Sequence, residues 1–148
     1  MATVSITATA RTKFGKSATR KIRFAGQMPG IVYRAGQPVT HISLNPHDLE
    51  NAFRKTMDRN TLVEITLDGD TKTCLVRDAQ RDPGNQALRH VDFYELDMSN
   101  PIVVEVPVKT KGIAPGMELG GVLRLIKRSL SVRCSPEAIP SGIMVDIT

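Results

Sequence analysis

The chain is poor in aromatic residues and in cysteine. It has no Trp, four Phe and two Tyr among 148 residues, so Val, Ile and Leu must fill its core, and such a core favours β-structure. Its two cysteines show neither CxxC spacing nor clustered histidines, which argues against a disulfide framework and fits a reducing cytoplasm. No apolar run approaches the roughly 20 residues of a membrane span, and the N-terminus lacks a secretory apolar core. We therefore expect a cytoplasmic protein with no membrane partner.

Acidic residues are missing from the first third of the chain. No Asp or Glu precedes Asp48, although the whole chain carries a formal net charge of +5. Seven basic residues do precede it: Arg11, Lys13, Lys16, Arg20, Lys21, Arg23 and Arg34. The remaining 13 basic and 15 acidic residues nearly balance. This asymmetry favours a polyanion-binding surface over a merely solvated basic one.

The hydrophobic periodicity predicts a mainly β fold with short α-helices. Alternating or compact apolar runs indicate strands at 4–11, 30–34, 39–44, 61–67, 71–80 and 90–96. The sequence DGD at 68–70 is a strong hairpin signal. Asn45 is placed to cap a helix whose buried stripe would be Leu49, Ala52, Phe53 and Met57. Short strands with few helices predict a small closed or half-closed barrel.

The segment between Gly15 and Gly26 is predicted to be a basic amphipathic helix. At helical spacing, one side carries the apolar residues Phe14, Ala18, Ile22 and Ala25. The cations Lys16, Arg20 and Arg23 fall on the other side. Like charges four residues apart repel each other, so stability does not explain their placement, whereas an anionic partner does.

A polar segment at 97–101 is predicted to link a first domain, 1–96, to a smaller all-β domain, 97–148. Strand-like stretches occur at 102–112, 121–134 and 142–148. Because so short a segment seldom holds a core of its own, we expect the second domain to be incomplete.

No catalytic or metal site is legible in the sequence. The GKS at 15–17 precedes a helix as in a phosphate-binding loop, but that motif needs glycine at position 10, where Ala stands. The three histidines lack metal-ligand spacing, and Asp68 and Asp70 are read as hairpin-turn residues. We therefore expect no enzymatic activity, no cofactor and no small-molecule substrate.

Nucleic-acid binding fits the residues better. Cations on the first helix would contact phosphates, and Gln80, Arg81, His90 and Asp92 offer donors and acceptors for base edges and ribose hydroxyls. For Asp92 a surface charge or turn brace is an equal alternative, and for His90 a half-buried ring bonded to the backbone.

Three blocks carry a family resemblance: GKSATRKIRFAGQMPGIVY, DAQRDPGNQALRHVDFYELD and VEVPVKTKGIAPGMELGGVL. In this order they resemble the family of bacterial large-subunit ribosomal protein L twenty-five, in the long two-domain form called CTC or general stress protein. The resemblance implies a six-stranded N-terminal barrel similar to the anticodon-binding domain of glutaminyl-tRNA synthetase. It also implies binding to 5S rRNA, at an internal loop of non-Watson–Crick pairs, in the central protuberance of the large subunit, beside neighbouring subunit components.

By motif, the resemblance assigns RNA binding to twelve residues: Arg11, Lys16, Thr19, Arg20, Lys21, Arg23, Tyr33, Arg77, Gln80, Arg81, His90 and Asp92. The chain departs from the family pattern at Ser17, usually Gly, and at Asp82, often His; Asp82 would repel phosphate, so its turn is expected to point away or bind more weakly. Two alternatives stay open: a stress-related module that binds another protein, and a tRNA-binding domain detached from a synthetase.

Overall fold

The computed structural model describes residues 3–56 and 60–148. The chain divides into two compact units, Met1–Leu96 and Asp97–Thr148. Each unit has its own sheet. Across the described ranges, no helix combines the length and the apolar character needed to cross a membrane.

The first unit consists of six strands and two helices in the described residues. The strands are β1 (Val4–Ala10), β2 (Met28–Tyr33), β3 (Thr40–Leu44), β4 (Leu62–Leu67), β5 (Asp70–Arg81) and β6 (Leu88–Glu95). The helices are α1 (Lys16–Phe24) and α2 (Pro46–Thr56). Their order along the chain is the one that the periodicity predicted.

The six strands form a closed barrel in the order β1-β3-β2-β6-β5-β4. Two pairs are parallel: β1 with β4, from Val4 opposite Val63 onwards, and β2 with β6, ending at Tyr33 opposite Tyr94. The other pairs are antiparallel. Closure leaves no open sheet edge in the barrel. The prediction of a mainly β fold with a six-stranded N-terminal barrel is confirmed.

Aliphatic side chains fill the barrel, as the scarcity of aromatics requires. Its core includes Ile6, Val63, Ile65 and Val91, and Phe93 is its largest fully buried side chain. Gly30 lies where β2 approaches β6 closely, since a Cβ there would meet Val91 Cγ1 and the Val91 carbonyl oxygen, both at 3.1 Å. The small residue therefore permits the parallel pairing that places β6 next to β2.

Helix α2 begins as predicted. The backbone N–H of His47 donates to Asn45 Oδ1 at 3.0 Å, which satisfies one of the unpaired donors at the helix start. Leu49 and Ala52 are buried, and Phe53 is half-buried against the barrel core. Met57, the fourth member of the predicted stripe, lies outside the described residues.

The predicted apolar stripe of α1 is only partly correct. The helix starts at Lys16, so Phe14 precedes it and packs instead on His41, with ring centroids 4.5 Å apart. Ala18 and Ile22 are half-buried, whereas Ala25 is exposed, and none of the residues of α1, all of them described, is fully buried. The helix therefore rests on the barrel lightly and leaves most of its surface to solvent.

The second unit is a three-stranded sheet in the order β8-β7-β9. Its strands are β7 (Ile102–Lys111), β8 (Ser129–Cys134) and β9 (Ile143–Asp146), and the short helix α3 spans Pro115–Glu118. The strand predicted at 121–134 is too long, because residues 121–128 are irregular and exposed. β8 and β9 already occupy both edges of β7, so this apolar stretch has no strand to pair with, and β-propensity alone does not form a ladder. Cys134 is half-buried.

Candidate nucleic-acid interface

His90, Asp92 and Gln80 come together on the outer face of the barrel. Gln80 on β5 lies opposite His90 on β6. His90 Nδ1 is 2.8 Å from Asp92 Oδ1, and the two residues are on the same side of the strand because they are two positions apart. The carboxylate orients the ring and holds the proton on Nδ1, which leaves Nε2 as the remaining hydrogen-bonding atom. Both side chains are half-buried, so this polar pair has a fixed direction.

An aromatic pair lies farther along β6. Tyr33 and Tyr94 are neighbours in the β2–β6 register, with ring centroids 5.6 Å apart in a T-shaped arrangement. The guanidinium carbon of Arg77 lies 6.0 Å from the centroid of the Tyr94 ring. Arg77 is carried by a β-bulge between Val76 and Asp78, and bulges redirect side chains. Tyr94 thus connects two residues that the sequence singled out, Tyr33 and Arg77.

Tyr94 was not among the residues predicted to lie on this surface, although its spacing along β6 indicated it. It follows His90 and Asp92 at the two-residue spacing of a strand face. The buried Val91 and Phe93 alternate with these three residues. Outward-facing alternation along β6 would therefore have identified Tyr94 as a member of the same surface.

Helix α1 presents its cations to solvent. Lys16, Arg20 and Lys21 are exposed, and Thr19 is half-buried. Lys16 is at the N-terminal end of the helix, where the macrodipole disfavours positive charge, and the first turn contains no acidic residue. The position of Lys16 is therefore unfavourable for helix stability, which is consistent with a contact made outside the chain.

Arg23 joins α1 to β6. Its Nη2 donates a hydrogen bond to the backbone carbonyl of Arg89, at a distance of 3.1 Å, across 66 residues of sequence. Arg89 immediately precedes His90. The basic helix and the polar strand therefore form one continuous surface rather than two separate ones.

Arg11, which directly follows β1, has side-chain nitrogens with no hydrogen-bond partner among the described residues. Its backbone N–H donates to the carbonyl of His41 at 3.0 Å. Among the described residues, its side-chain Nε and Nη1 are buried and have no hydrogen-bond partner. A buried donor without an acceptor is costly, so the side chain would gain from an acceptor supplied by water or by a ligand.

Arg81 braces a turn, in contrast to the other singled-out residues of β5. Its Nη1 donates to the carbonyl of Gln86 at 2.9 Å, and its guanidinium carbon lies 5.9 Å from the ring centroid of Phe53. A second register shift falls between Gln80 and Arg81, so that Arg81 is opposite Leu88 and not opposite His90 or Asp92.

The charge of Asp82 is compensated within its own turn. The N–H of Gly84 donates to Asp82 Oδ1 at 2.9 Å, and Arg89 Nε lies 3.1 Å from Asp82 Oδ2. The backbone N–H of Gly84, then that of Asn85 and the charge of Arg89, lower the pKa of this carboxyl. This ion pair reduces the repulsion that Asp82 would exert on a phosphate.

Glu95 forms ion pairs with two cations that sequence reasoning had not paired. Its carboxylate oxygens lie 2.9 Å from Lys72 Nζ and 3.7 Å from Arg34 Nη1. Lys72 and Arg34 therefore share one negative charge, whereas Lys16, Arg20 and Lys21 of α1 are exposed to solvent. Within the part of the chain that the structure describes, no group of three or more His, Cys, Asp or Glu side chains could hold a metal ion.

The fold and the charged surface together define a class of protein: a small β-barrel with a basic helix, followed along the chain by a separate sheet. The model of the Ribosomal L25p family matches residues 6–93, and that of the C-terminal domain of ribosomal protein TL5 matches residues 101–148. The chain belongs to the Ribosomal L25p family, in the long form that carries the TL5 C-terminal domain. This confirms the family assigned from the three sequence blocks.

Curated relatives agree with this assignment. Three proteins named "Large ribosomal subunit protein bL25" come from Syntrophobacter fumaroxidans, Anaeromyxobacter sp. (strain K) and Desulforamulus reducens, and are 37%, 38% and 35% identical to the chain. The matches cover 98%, 100% and 100% of this chain and 75%, 62% and 70% of the respective relatives. The chain thus spans less than two thirds of the length of some relatives. The family is one of ribosomal proteins, and these relatives are named as proteins of the large subunit.

Proposed function

We propose that this chain binds 5S rRNA in the large ribosomal subunit, in the cytoplasm, through α1 and the outer face of β6. The observation that carries the proposal is the hydrogen bond from Arg23 Nη2 to the Arg89 carbonyl. It joins α1, which carries the exposed cations, to the residue of β6 that immediately precedes His90. Phosphate-binding and base-reading groups on one rigid surface are what recognition of a folded RNA requires.

The two parts of this surface have different tasks. Lys16, Arg20 and Lys21 bind phosphates, and the release of counterions supplies affinity irrespective of sequence. His90, Asp92 and Gln80 present oriented donors and acceptors to the edges of bases and to 2′-hydroxyls in a shallow minor groove. The basic helix therefore anchors the RNA, and the strand face distinguishes one RNA from another.

The choice of 5S rRNA rests on the family resemblance together with this geometry. An internal loop of non-Watson–Crick pairs exposes base edges that a regular A-form duplex hides, and this suits a small polar face such as that of β6. Within the subunit, the proposed position is the central protuberance. The remaining surface of the chain, including the second unit, would contact neighbouring subunit components.

The test is competitive binding of the full chain to 5S rRNA, to tRNA and to a random RNA duplex of equal length. We expect preference for 5S rRNA. Arg20→Ala should weaken binding to all three RNAs and reduce the slope of log K against log salt by about 0.7–0.9 for a lost phosphate contact. Arg124→Ala removes an equal charge from an exposed position in the second unit and serves as the matched control.

Two outcomes would contradict the proposal. Preference for tRNA would favour a tRNA-binding domain detached from a synthetase. Binding that is equal for all RNAs, combined with loss of the chain from large subunits in high salt, would favour a stress-related module whose main partner is a protein.

A further inference from the structure

Helix α1 ends in an aromatic side chain that is exposed to solvent. Phe24 is the last residue of the helix and is 94% exposed. The helix rests on the barrel through other positions, the half-buried Ala18, Thr19 and Ile22. A polar residue at position 24 would therefore cost the fold nothing, so folding does not account for the ring.

Phe24 is not an isolated surface residue. It lines a shallow open hollow together with Ser17, Arg20, Lys21 and Ala25. Ser17 is followed three, four, seven and eight positions later by Arg20, Lys21, Phe24 and Ala25. This spacing places all five residues on one face of a helix. Helical side chains lean towards the N-terminus, so the ring of Phe24 projects on the side of α1 that carries Arg20 and Lys21.

The charges around this hollow select its occupant. Two cations border the ring, and no acidic residue precedes Asp48 in the sequence. An apolar protein patch would leave these cations unpaired at the edge of the contact. A nucleotide supplies both required groups, because its base has a flat π-face for the ring and its phosphates pair with the cations.

We propose that Phe24, Arg20 and Lys21 form a stacking platform for an unpaired base of the bound RNA. Phe24 stacks on the base, and Arg20 and Lys21 hold the phosphates on either side of it. This inference rests on the proposed RNA-binding function and adds to it a contact with an unstacked nucleotide, outside the region read by the β6 face. The platform contributes to affinity without depending on which base occupies it, because every base has a π-face.

Affinity for 5S rRNA provides the first test. Phe24→Ala should weaken binding about tenfold, within the range measured for base–aromatic stacking. The salt slope should stay at the wild-type value, because no cation is lost. Phe24→Leu keeps an apolar side chain but no ring, and should lose most of the same affinity. An unchanged melting temperature checks that these exposed-site variants remain folded.

Fluorescence provides the second test. The chain contains no Trp, so Phe24→Trp introduces a single reporter that should retain tight binding and be quenched when 5S rRNA is added. Leu119→Trp, at a position 90% exposed in the second unit, is the matched control and should not be quenched.

The outcomes separate this inference from the proposed function. If the wild type prefers 5S rRNA but Phe24→Ala or Phe24→Leu binds it equally well, the platform is wrong and the proposed function stands. The same holds if Phe24→Trp binds without quenching, or if Phe24→Ala lowers only association with large subunits and leaves RNA affinity intact. If the wild type shows no preference for 5S rRNA, the proposed function fails first.

Discussion

His90 Nδ1 and Asp92 Oδ1 lie 2.8 Å apart on the outer face of β6. Both residues belong to β6. Closure of the barrel is therefore not needed to bring the two side chains together. Asp92 faces Asp78 across the β5–β6 register. Two acidic residues are thus opposite each other on a surface proposed to bind a polyanion: Asp92 orients His90, whereas Asp78 Oδ1 accepts a hydrogen bond from the Ala79 N–H.

We predict that His90→Ala and Asp92→Ala reduce discrimination between 5S rRNA and a random duplex by roughly tenfold, the size expected for charge-assisted hydrogen bonds. Asp92→Ala also removes a negative charge, so its affinity for the random duplex should hold or rise while its affinity for 5S rRNA falls. Competition binding at a single salt concentration measures both changes.

Asp78→Ala is the control for this prediction, because it removes the same charge from the facing strand without freeing His90. It should leave discrimination near the wild-type value. If Asp92→Ala loses affinity equally on both RNAs, the pair has no part in recognition.

The elements of the barrel could be predicted because each depends on local signals. Alternation identified β1, and the DGD sequence identified the β4–β5 hairpin, in which Asp68 and Gly69 adopt positive φ of 50° and 92°. These are the backbone angles that such two-residue turns require. Local sequence signals were thus sufficient to find the strands of the barrel and their order along the chain.

Partners of individual side chains could not be predicted in the same way. Periodicity says which face a residue occupies but not what lies across from it. Glu95 pairs with Lys72 and Arg34, and Arg81 braces the turn that ends at β6, only because of the register and bulges of β5 and β6. For the residues predicted to bind RNA, periodicity therefore indicated which face each one occupies, but not which internal partners the cations have.

Gly30→Ala should destabilise the barrel by about 1–3 kcal/mol, the usual cost of overpacking. The added methyl would lie 3.1 Å from the Val91 carbonyl oxygen, a backbone atom that cannot rotate away. Urea unfolding of the full chain measures the loss. Gly116→Ala, where a Cβ meets nothing within 4 Å, is the control and should leave the unfolding of the barrel unchanged. Equal stability of the two variants would contradict the tight β2–β6 approach.

Asp82 should make the stability of the barrel depend on pH in the acidic range. Hydrogen bonds from the Gly84 and Asn85 N–H groups and the charge of Arg89 lower the pKa of its carboxyl below the ordinary 3.8. A lowered pKa in the folded state adds stability above the unfolded pKa, and this is lost as pH falls through the folded value. Asp82→Asn should therefore melt below the wild type near about pH 7, and the gap should close towards about pH 2. A gap that is constant across this range would rule out the ionised turn.

Cys74 reports whether the barrel is closed in solution. It is buried in the barrel core, and desolvation, followed by the charge of Glu95, raises the pKa of its thiol to about 12. Because the thiolate is the reactive form, iodoacetamide should leave Cys74 unmodified in the native chain and modify it only after the barrel opens.

In a Cys134→Ser chain, which retains Cys74 alone, mass spectrometry should show labelling at a rate that follows the unfolded fraction as urea increases. Binding of 5S rRNA should slow this labelling, since a ligand that binds only the folded state lowers the open fraction. Labelling in native buffer as fast as in denaturant would mean that the barrel is open and that its outer face cannot hold the cations and the His90–Asp92 pair in fixed positions.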